Sequence, residues 1–223
     1  AHVERDLLVP AHRDHEEGYW DSLTWAPSAY MLYLGVEGDL SELDHHTLVL
    51  PTEWKPHFDS IFENPAWPED PAYYVNVPSR TDETVAPEGH EAVVVLVPIA
   101  PGLEDGEEAR EEFRDQILED VAENTGVDLR DRIVVEHEAS PSTFAEQFDA
   151  PGGTALGLAH TLRQTGPLRP GRRGPLEGLY YVGGNTTPGI GVPMALISGE
   201  HAADAVVDDH TGGGLLDRLP SPF

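Results

Sequence analysis

The sequence contains no cysteine and only one lysine, Lys55, among its 223 residues. Without cysteine, a disulfide framework and thiol chemistry are excluded. No apolar run reaches the ~18 residues that a membrane-spanning helix requires. The first residues, "AHVERDLLVPAHRDHEEG", do not have the pattern of a secretory signal, and they lack an initiator methionine. We therefore expect this chain to be a fragment of a longer protein.

Basic residues are far fewer than acidic ones: the chain has 13 Lys+Arg and 41 Asp+Glu, which give a formal net charge of -28. Nucleic acids and anionic lipids both bind to basic surfaces, so this charge argues against a nucleic-acid partner and against electrostatic docking on anionic lipid. Few lysines and many acids are typical of proteins from a salt-loaded cytoplasm. We expect a cytoplasmic protein that needs high salt, because unscreened like charges repel one another.

Acidic residues are themselves missing from one part of the chain. Residues 150–199 contain one acid, Glu177, where an even spread would place roughly nine. This change in composition predicts a domain boundary near Ala150. We expect one domain over residues 1–150, a second over 151–210, and a flexible tail over 211–223.

The first domain combines strand and helix patterns. Residues 105–126 predict a helix, because four apolar residues form one stripe and Gly126 can end it. Residues 91–100 are apolar nearly throughout, which is typical of a strand covered on both faces. The order of elements predicts an α+β domain with a mixed sheet. Further strands are predicted over 29–36, 46–50, 72–77 and 131–138, and a short helix over 57–62.

The second domain is predicted to contain a buried strand over residues 178–184, "GLYYVGG", then a glycine loop and a helix that starts near Pro193. The loop glycines let the backbone turn tightly and approach a ligand; they are Gly183, Gly184, Gly189 and Gly191. Free N–H groups at the helix start favour an anion or an electron-rich ring. A ligand-free buried turn is the alternative, and the acid-free surroundings favour a ligand.

Several segments together resemble the phytoene desaturase (carotenoid desaturase) family, relatives of the flavin amine oxidases. "GLYYVGGNTTPGIGVPMALISGEHAADAV" resembles the C-terminal flavin-binding signature of that family. "APSAYMLYLGVEGDLSELDHHTLVL", "DPAYYVNVPSRTDETVAPEGHEAVVVLVPIAP" and "GGTALGLAHTLRQTGPLRPGRRGPLEGLY" resemble its preceding segments. The resemblance covers about residues 25–207 in the same order.

The resemblance implies a substrate domain followed by the C-terminal strand–glycine loop–helix of a glutathione-reductase-type FAD-binding domain. It implies non-covalent FAD, desaturation of phytoene or a related C40 carotenoid, and peripheral contact with membrane lipid. The backbone around Val192, Pro193 and Met194 would face the flavin edge, with Gly184 and Asn185 near the ribityl and pyrophosphate groups. We expect no catalytic side chain and no metal site. Gly183, Gly189 and Gly191 complete the expected cofactor site.

The sequence departs from the family in two ways. The strand–GxGxxG–helix that holds the ADP half of FAD is absent, so the chain resembles the C-terminal half of such an enzyme. The missing N-terminal half is therefore an expected partner, and we do not expect this chain to turn over alone. Thr187 stands where many members have histidine, which leaves any role for that side chain open.

Other candidate residues have a structural interpretation beside the functional one. Four arginines, Arg163, Arg169, Arg172 and Arg173, would offset phosphate charge or contact lipid head groups. The alternative is that they lie in a solvated loop, and we favour this alternative for Arg172 and Arg173. His45 and His46 are candidate metal ligands, but adjacent residues of a strand point to opposite sides. We therefore expect them to be structural or substrate-lining. Residues 12–17, "HRDHEE", would either bind a metal opportunistically or form a solvated loop, and we favour the loop. Arg80 and Asp82 are expected to reach a cavity or to pair in a turn.

Two other functions remain open at this point. One is a carotenoid isomerase, a ketolase or another flavin amine-oxidase relative with a different substrate. The other is a non-catalytic half-protein that serves as a scaffold.

Overall fold

The structure, a computed structural model, describes residues 2–16 and 18–211. The chain divides into two compact units. The sheet unit is Pro27–Ala155, and the glycine-loop unit combines Ala1–Ala26 with Leu156–Phe223. The composition break near Ala150 thus falls close to a boundary, whereas residues 1–26 belong to the second unit rather than the first. The predicted tail lies outside the described residues except for Thr211.

The described residues of the sheet unit form five strands. They are β1 (Ser28–Glu37), β2 (His46–Val49), β3 (Tyr73–Asn76), β4 (His90–Ile99) and β5 (Ile133–Ala139). Each lies where the sequence predicts a strand. The spatial order is β2-β3-β4-β1-β5. Every pairing of the described strands is antiparallel, so the expected mixed sheet is corrected to an antiparallel one.

Three helices accompany these strands: α1 (Trp54–Phe62), α2 (Glu107–Thr125) and α3 (Pro141–Phe148). The predicted stripe of α2 is confirmed, because Phe113, Ile117, Leu118 and Val121 are its buried residues. Gly126 ends α2 at a φ of 78°, and its N–H bonds to the carbonyl of Ala122. Helix α3 was not predicted from the sequence, although Ser140 before Pro141 is a helix-start signal.

One face of the sheet carries the core. Along β4, Val93, Val95, Val97 and Ile99 are buried, and the residues between them are only partly buried. The expectation that this strand is fully covered on both faces is therefore wrong: its alternation is that of an antiparallel strand with one packed face. The buried side chains of β1 and α2 join the same cluster.

The second face of the sheet is apolar but only partly covered. Met31 pairs with Leu96, Tyr33 pairs with Val94, and Tyr74 also pairs with Leu96. Directly paired residues lie on the same side of a sheet, so these five side chains share one face. All five are partly or largely exposed. We call this surface the open sheet face.

The glycine-loop unit contains one long helix, α4 (Val192–Thr211), and many short turns. Gln164 ties its N-terminal segment to the rest: its Oε1 accepts from the Thr24 N–H at 2.8 Å, and its Nε2 donates to the Thr24 carbonyl at 2.8 Å. The buried strand predicted over 178–184 is wrong. Tyr180 makes a single bridge with Arg173, and Val182 is 60% exposed, so no ladder forms among the described residues.

Helices that are both long and apolar enough to cross a membrane do not occur within residues 2–16 and 18–211.

Candidate functional site

The glycine loop, residues 183–191, leads directly into α4. The first bond of the helix joins the Ala195 N–H to the Gly191 carbonyl at 2.8 Å. Pro193 lies in the first turn, where its missing N–H leaves no helical bond unmade. No acid occurs in this turn of the described helix. The predicted helix start is therefore confirmed, and the free N–H groups of its first turn have no acidic residue in the same turn.

Two loop glycines present bare backbone to open space. Gly183 has a φ of +106° and Gly191 a φ of +117°, a region that side chains rarely adopt. No described atom lies within 4 Å of a Cβ built on Gly183, and only Met194 Cγ, at 4.0 Å, approaches one on Gly191. Conformation rather than packing thus requires glycine here, and another molecule has room to approach.

Gly189 has a different role. It is buried, and a Cβ built on it would lie 2.3 Å from Nε2 of His160. The same Nε2 accepts a hydrogen bond from the Ile190 N–H at 3.1 Å. Packing against His160 therefore accounts for this glycine. Gly184 is intermediate, since a Cβ there would lie 3.7 Å from the Ile190 Cα.

Asn185 holds a neighbouring segment. Its Oδ1 accepts from the Leu158 N–H at 2.8 Å, and a Cβ on Gly157 would lie 2.3 Å from that oxygen. This contact joins residues 27 positions apart in sequence. The Asn185 side chain therefore cross-links the loop to residues 157–158, a role that the sequence did not predict.

The start of the loop is fastened to α4 by a buried hydroxyl. Ser198 is 1% exposed, and its Oγ accepts from the Gly183 N–H at 2.6 Å. The Thr186 hydroxyl lies 3.2 Å from the same oxygen. These bonds fix the distance between Gly183 and the helix.

Arg169 packs against the glycine loop and is 3% exposed. Its guanidinium donates to the carbonyls of Thr186 at 3.1 Å, Gln164 at 3.1 Å, Leu158 at 2.8 Å and Gly184 at 2.5 Å. Burial lowers the pKa of this guanidinium from its ordinary value. The expectation of a lipid contact is wrong for Arg169, because a buried side chain cannot reach a membrane surface.

The other three arginines differ in their surroundings. Arg163 is exposed. Arg173 forms two hydrogen bonds with Asp209, at 2.9 and 3.1 Å, and Tyr180 donates to the same carboxylate. The Nε of Arg172 is buried without a hydrogen-bond partner among the described residues. A solvated loop is therefore an incomplete description of Arg172 and Arg173.

The residues at the start of α4 are largely exposed. Val192 is 77% exposed and Leu196 is 73% exposed. Pro193 is also exposed, and Met194 is partly buried. Gly191, directly before them, adds bare backbone to the apolar side chains at the start of the helix.

The remaining candidates have local partners. The His46 ring Nδ1 lies 2.6 Å from the Tyr74 hydroxyl, and the His45 ring lies 2.7 Å from the Thr81 hydroxyl. Arg80 pairs with Asp39 at 3.2 Å, so the expected pairing with Asp82 is wrong. Within the described residues, no group of three His, Cys, Asp or Glu side chains is placed to hold a metal ion.

The "HRDHEE" stretch is only partly a solvated loop. His15 is half-buried; its ring Nδ1 lies 2.8 Å from Glu4 Oε1, and its backbone N–H bonds to the same oxygen. His12, Asp14 and Glu16 are exposed, whereas Glu17 lies outside the described residues.

The sequence did not predict the roles of three side chains: His160 and Ser198, which bond to the glycine loop, and Gln164, which bonds to Thr24. Their only signal was polarity inside a stretch poor in charge. That signal does not identify a partner, because each of these residues bonds to the backbone of a distant segment.

Comparison with known proteins places the chain in a family. Residues 38–207 match the family described as flavin containing amine oxidoreductase. The chain belongs to this family. The resemblance to carotenoid desaturases is also confirmed: a carotenoid 3,4-desaturase of Haloarcula japonica is 61% identical over 210 residues, which are 94% of this chain and 42% of that protein.

More distant relatives carry related names. A zeta-carotene-forming phytoene desaturase of Myxococcus xanthus is 39% identical over 80% of this chain and 35% of that protein. A phytoene desaturase of Neurospora crassa is 33% identical over 82% of this chain and 32% of that protein. The crystal structure of an oxidoreductase from Methanosarcina mazei aligns with a TM-score of 0.46 and 17% identity, over 78% of this chain and 33% of that one. The chain thus spans less than half the length of these relatives.

Proposed function

We propose that this chain is the C-terminal portion of an FAD-dependent oxidoreductase that desaturates phytoene or a related C40 carotenoid. The observation that carries the proposal is the bare backbone of Gly183 and Gly191, together with the acid-free start of α4. In a flavin containing amine oxidoreductase, this surface is the natural candidate for contact with the cofactor. The names of the relatives supply the carotenoid substrate.

The residues of the loop fit FAD. Glycines with open space at their Cβ positions let the backbone approach a large planar ligand, and a helix start favours its negative charge. Gly183, Gly184 and Gly191, with residues 192–194, would hold the cofactor. Gly189 and Asn185 would act indirectly, by keeping the loop in shape. When bound, FAD supplies the acceptor for the hydride that desaturation removes.

The open sheet face suits a polyene. A carotenoid is long and apolar, and its burial is favoured wherever apolar side chains are free to cover it. Met31, Tyr33, Tyr74, Val94 and Leu96 provide such a surface. These side chains would bind the hydrocarbon and exclude water, and no nucleophilic side chain is required of them.

Peripheral membrane contact is part of the proposal, because the substrate dissolves in lipid. Helix α1 carries three exposed aromatic rings at four-residue spacing: Trp54, Phe58 and Phe62 are 42%, 48% and 55% exposed. Their ring centroids are 5.7 and 6.1 Å apart. Aromatic side chains are favoured at the boundary between lipid and water. This row is the described surface best suited to that contact.

The proposal requires a partner for the loop. Gly183 to Met194 would contact only part of FAD, so the ADP half needs the missing N-terminal half with its GxGxxG segment. A half-protein scaffold would need no such segment.

The flavin absorbance spectrum tests this proposal. The chain is purified in molar KCl, alone and co-expressed with the predicted N-terminal half. We expect a yellow complex only when both halves are present. Absence of flavin from both samples would overturn the proposal and leave the glycine loop as a structural turn. Flavin in the chain alone would overturn the need for the second half.

Product analysis then separates desaturation from the related chemistries. The yellow complex is incubated with phytoene in lipid vesicles. New conjugated double bonds, seen as a shift of absorbance to longer wavelength, are expected. Isomerised or oxygenated products would instead support a carotenoid isomerase or ketolase.

A further inference from the structure

Arg169 makes contacts that the proposed reaction does not use. Its guanidinium is 3% exposed and bonds only to backbone carbonyls in the part of the chain that the structure describes. Those carbonyls belong to two segments, residues 158–164 and residues 184–186. The side chain therefore joins two stretches that are far apart in sequence.

The charge of Arg169 has no acidic partner in the part of the chain that the structure describes. None of the ion pairs among residues 2–16 and 18–211 includes it. Burying a cation is costly unless hydrogen bonds replace the lost water, and here the carbonyl dipoles do so. A carboxylate would have neutralised the charge, whereas carbonyls leave one net positive charge close to Gly184.

Carbonyl bonding also orients the loop. The Gly184 and Thr186 carbonyls point back toward the guanidinium, so the opposite side of these peptides is turned away from it. Ser198 and His160 fix the two ends of the same loop through the N–H groups of Gly183 and Ile190. Arg169 holds the middle of the loop through the Gly184 and Thr186 carbonyls, beside the bonds made by Asn185 and by the Thr187 N–H.

We propose that Arg169 is the positioning residue of the glycine loop, which fixes residues 183–191 in the conformation that receives the cofactor and places one positive charge behind them. The identity of the ligand rests on the proposed flavin function, but the positioning role does not.

Hydrogen exchange in this chain without flavin tests the positioning role. In Arg169→Met, we expect amide exchange within residues 183–191 to rise about tenfold or more, because several bonds to a charged donor are lost. In Arg169→Lys, we expect a smaller rise, since an ammonium has three donors against five. Arg163→Met removes an exposed arginine six positions away and is the matched control.

The β4 amides report whether the sheet unit has unfolded, and the amides of Ala202 and Ala205, buried residues of α4, report whether the glycine-loop unit has. We expect them to be unchanged in all three variants. Equal loop exchange in Arg169→Met and Arg163→Met would overturn the positioning role.

Binding of two flavins tests the charge. In the complex with the N-terminal half, FAD carries a pyrophosphate, whereas riboflavin has no phosphate. We expect Arg169→Met to weaken the binding of FAD about tenfold more than the binding of riboflavin. Arg169→Lys should keep the ratio of the two affinities that the parent chain has. If Arg169 has a purely structural role, Arg169→Met would weaken the binding of both flavins equally. That result would overturn the role of the charge. If no variant binds either flavin, the proposed function fails, while the exchange data still decide whether Arg169 positions the loop.

Discussion

Gly189 and His160 are packed so closely that a Cβ on Gly189 would lie 2.3 Å from Nε2 of the imidazole. The same nitrogen accepts the Ile190 N–H, so the ring cannot turn away without losing that bond. Glycine at 189 is therefore a packing requirement, in contrast to Gly183 and Gly191, where the space in front of the backbone is open.

This relationship predicts a double-mutant effect. We expect Gly189→Ala to lower the free energy of unfolding by about 3 kcal/mol, because a buried clash adds to a φ of +138°. In the His160→Ala background the clash is removed, and the cost should fall to about 1–2 kcal/mol of backbone strain. Urea unfolding at fixed KCl measures both.

Gly178→Ala is the control for strain without a clash, since Gly178 has a φ of 80° and no described atom within 4 Å of its Cβ position. We expect it to cost about 1 kcal/mol. Equal costs for Gly189→Ala in both backgrounds would refute the packing role of His160.

Two substitutions of Asn185 separate its structural and functional roles. Asn185→Ala leaves the Leu158 N–H without its acceptor, and we expect a loss of about 1–2 kcal/mol in unfolding free energy. Asn185→Asp keeps the acceptor, so its stability should stay within about 0.5 kcal/mol of the parent. Thermal and urea unfolding measure these differences.

Asn185→Asp also brings a negative charge into the acid-free loop. In the flavin-binding complex, we expect its affinity for FAD to fall about tenfold, because the added carboxylate repels the pyrophosphate. Parent-like binding by this variant would show that residue 185 does not face the phosphates.

His57 should make stability depend on pH. It is 3% exposed, and its Nδ1 has no partner among the described residues. Burial lowers the pKa of His57 below its ordinary value of 6.5, against a smaller opposing effect of Asp70. The unfolded chain therefore takes up a proton at higher pH than the folded chain. The contribution of neutral His57 is present above pH 6.5 and is lost as pH falls through its lowered pKa.

We expect His57→Leu to remove this part of the pH dependence, so that the variant loses less stability than the parent between about pH 7.5 and about pH 5.5. Unfolding free energies from urea titrations at several pH values give the slopes. His12→Leu removes an exposed imidazole and is the control. Parallel slopes for the parent and His57→Leu would rule out the buried histidine as the cause.

The net charge predicts a dependence on salt. With a formal charge of -28, repulsion within the folded chain should weaken as salt screens it. We expect the melting temperature to rise by at least about 5 °C between about 0.1 M and about 3 M KCl. Sorbitol at matched osmolality is the control for solute exclusion. A melting temperature that falls with added KCl would contradict the prediction.

Local sequence patterns were sufficient to predict most of the strands and helices of the sheet unit. The stripe that runs from Phe113 to Val121 predicts α2, and the apolar run that contains Val93 and Val95 predicts β4, although not the one-sided burial of that strand. The predicted strand at residues 178–184 failed for a physical reason: a strand needs a neighbouring ladder, and Tyr180 bridges to Arg173 alone among the described residues. Sequence pattern reports the tendency of a segment to pair, but not the presence of its partner.

The sequence by itself determined the family, the acid-free loop, the start of α4 near Pro193 and the positions of the five strands. The family follows from the resemblance of several segments to known sequences. The other features follow from composition and from short-range periodicity, which act over one or two turns of the chain. Only the tertiary structure decided which glycines face open space, that Gly189 packs on His160, and that Arg169 lies buried behind the loop. Those properties depend on contacts between segments 15 to 30 positions apart. No local pattern encodes such contacts, because the partners meet only when the chain has folded.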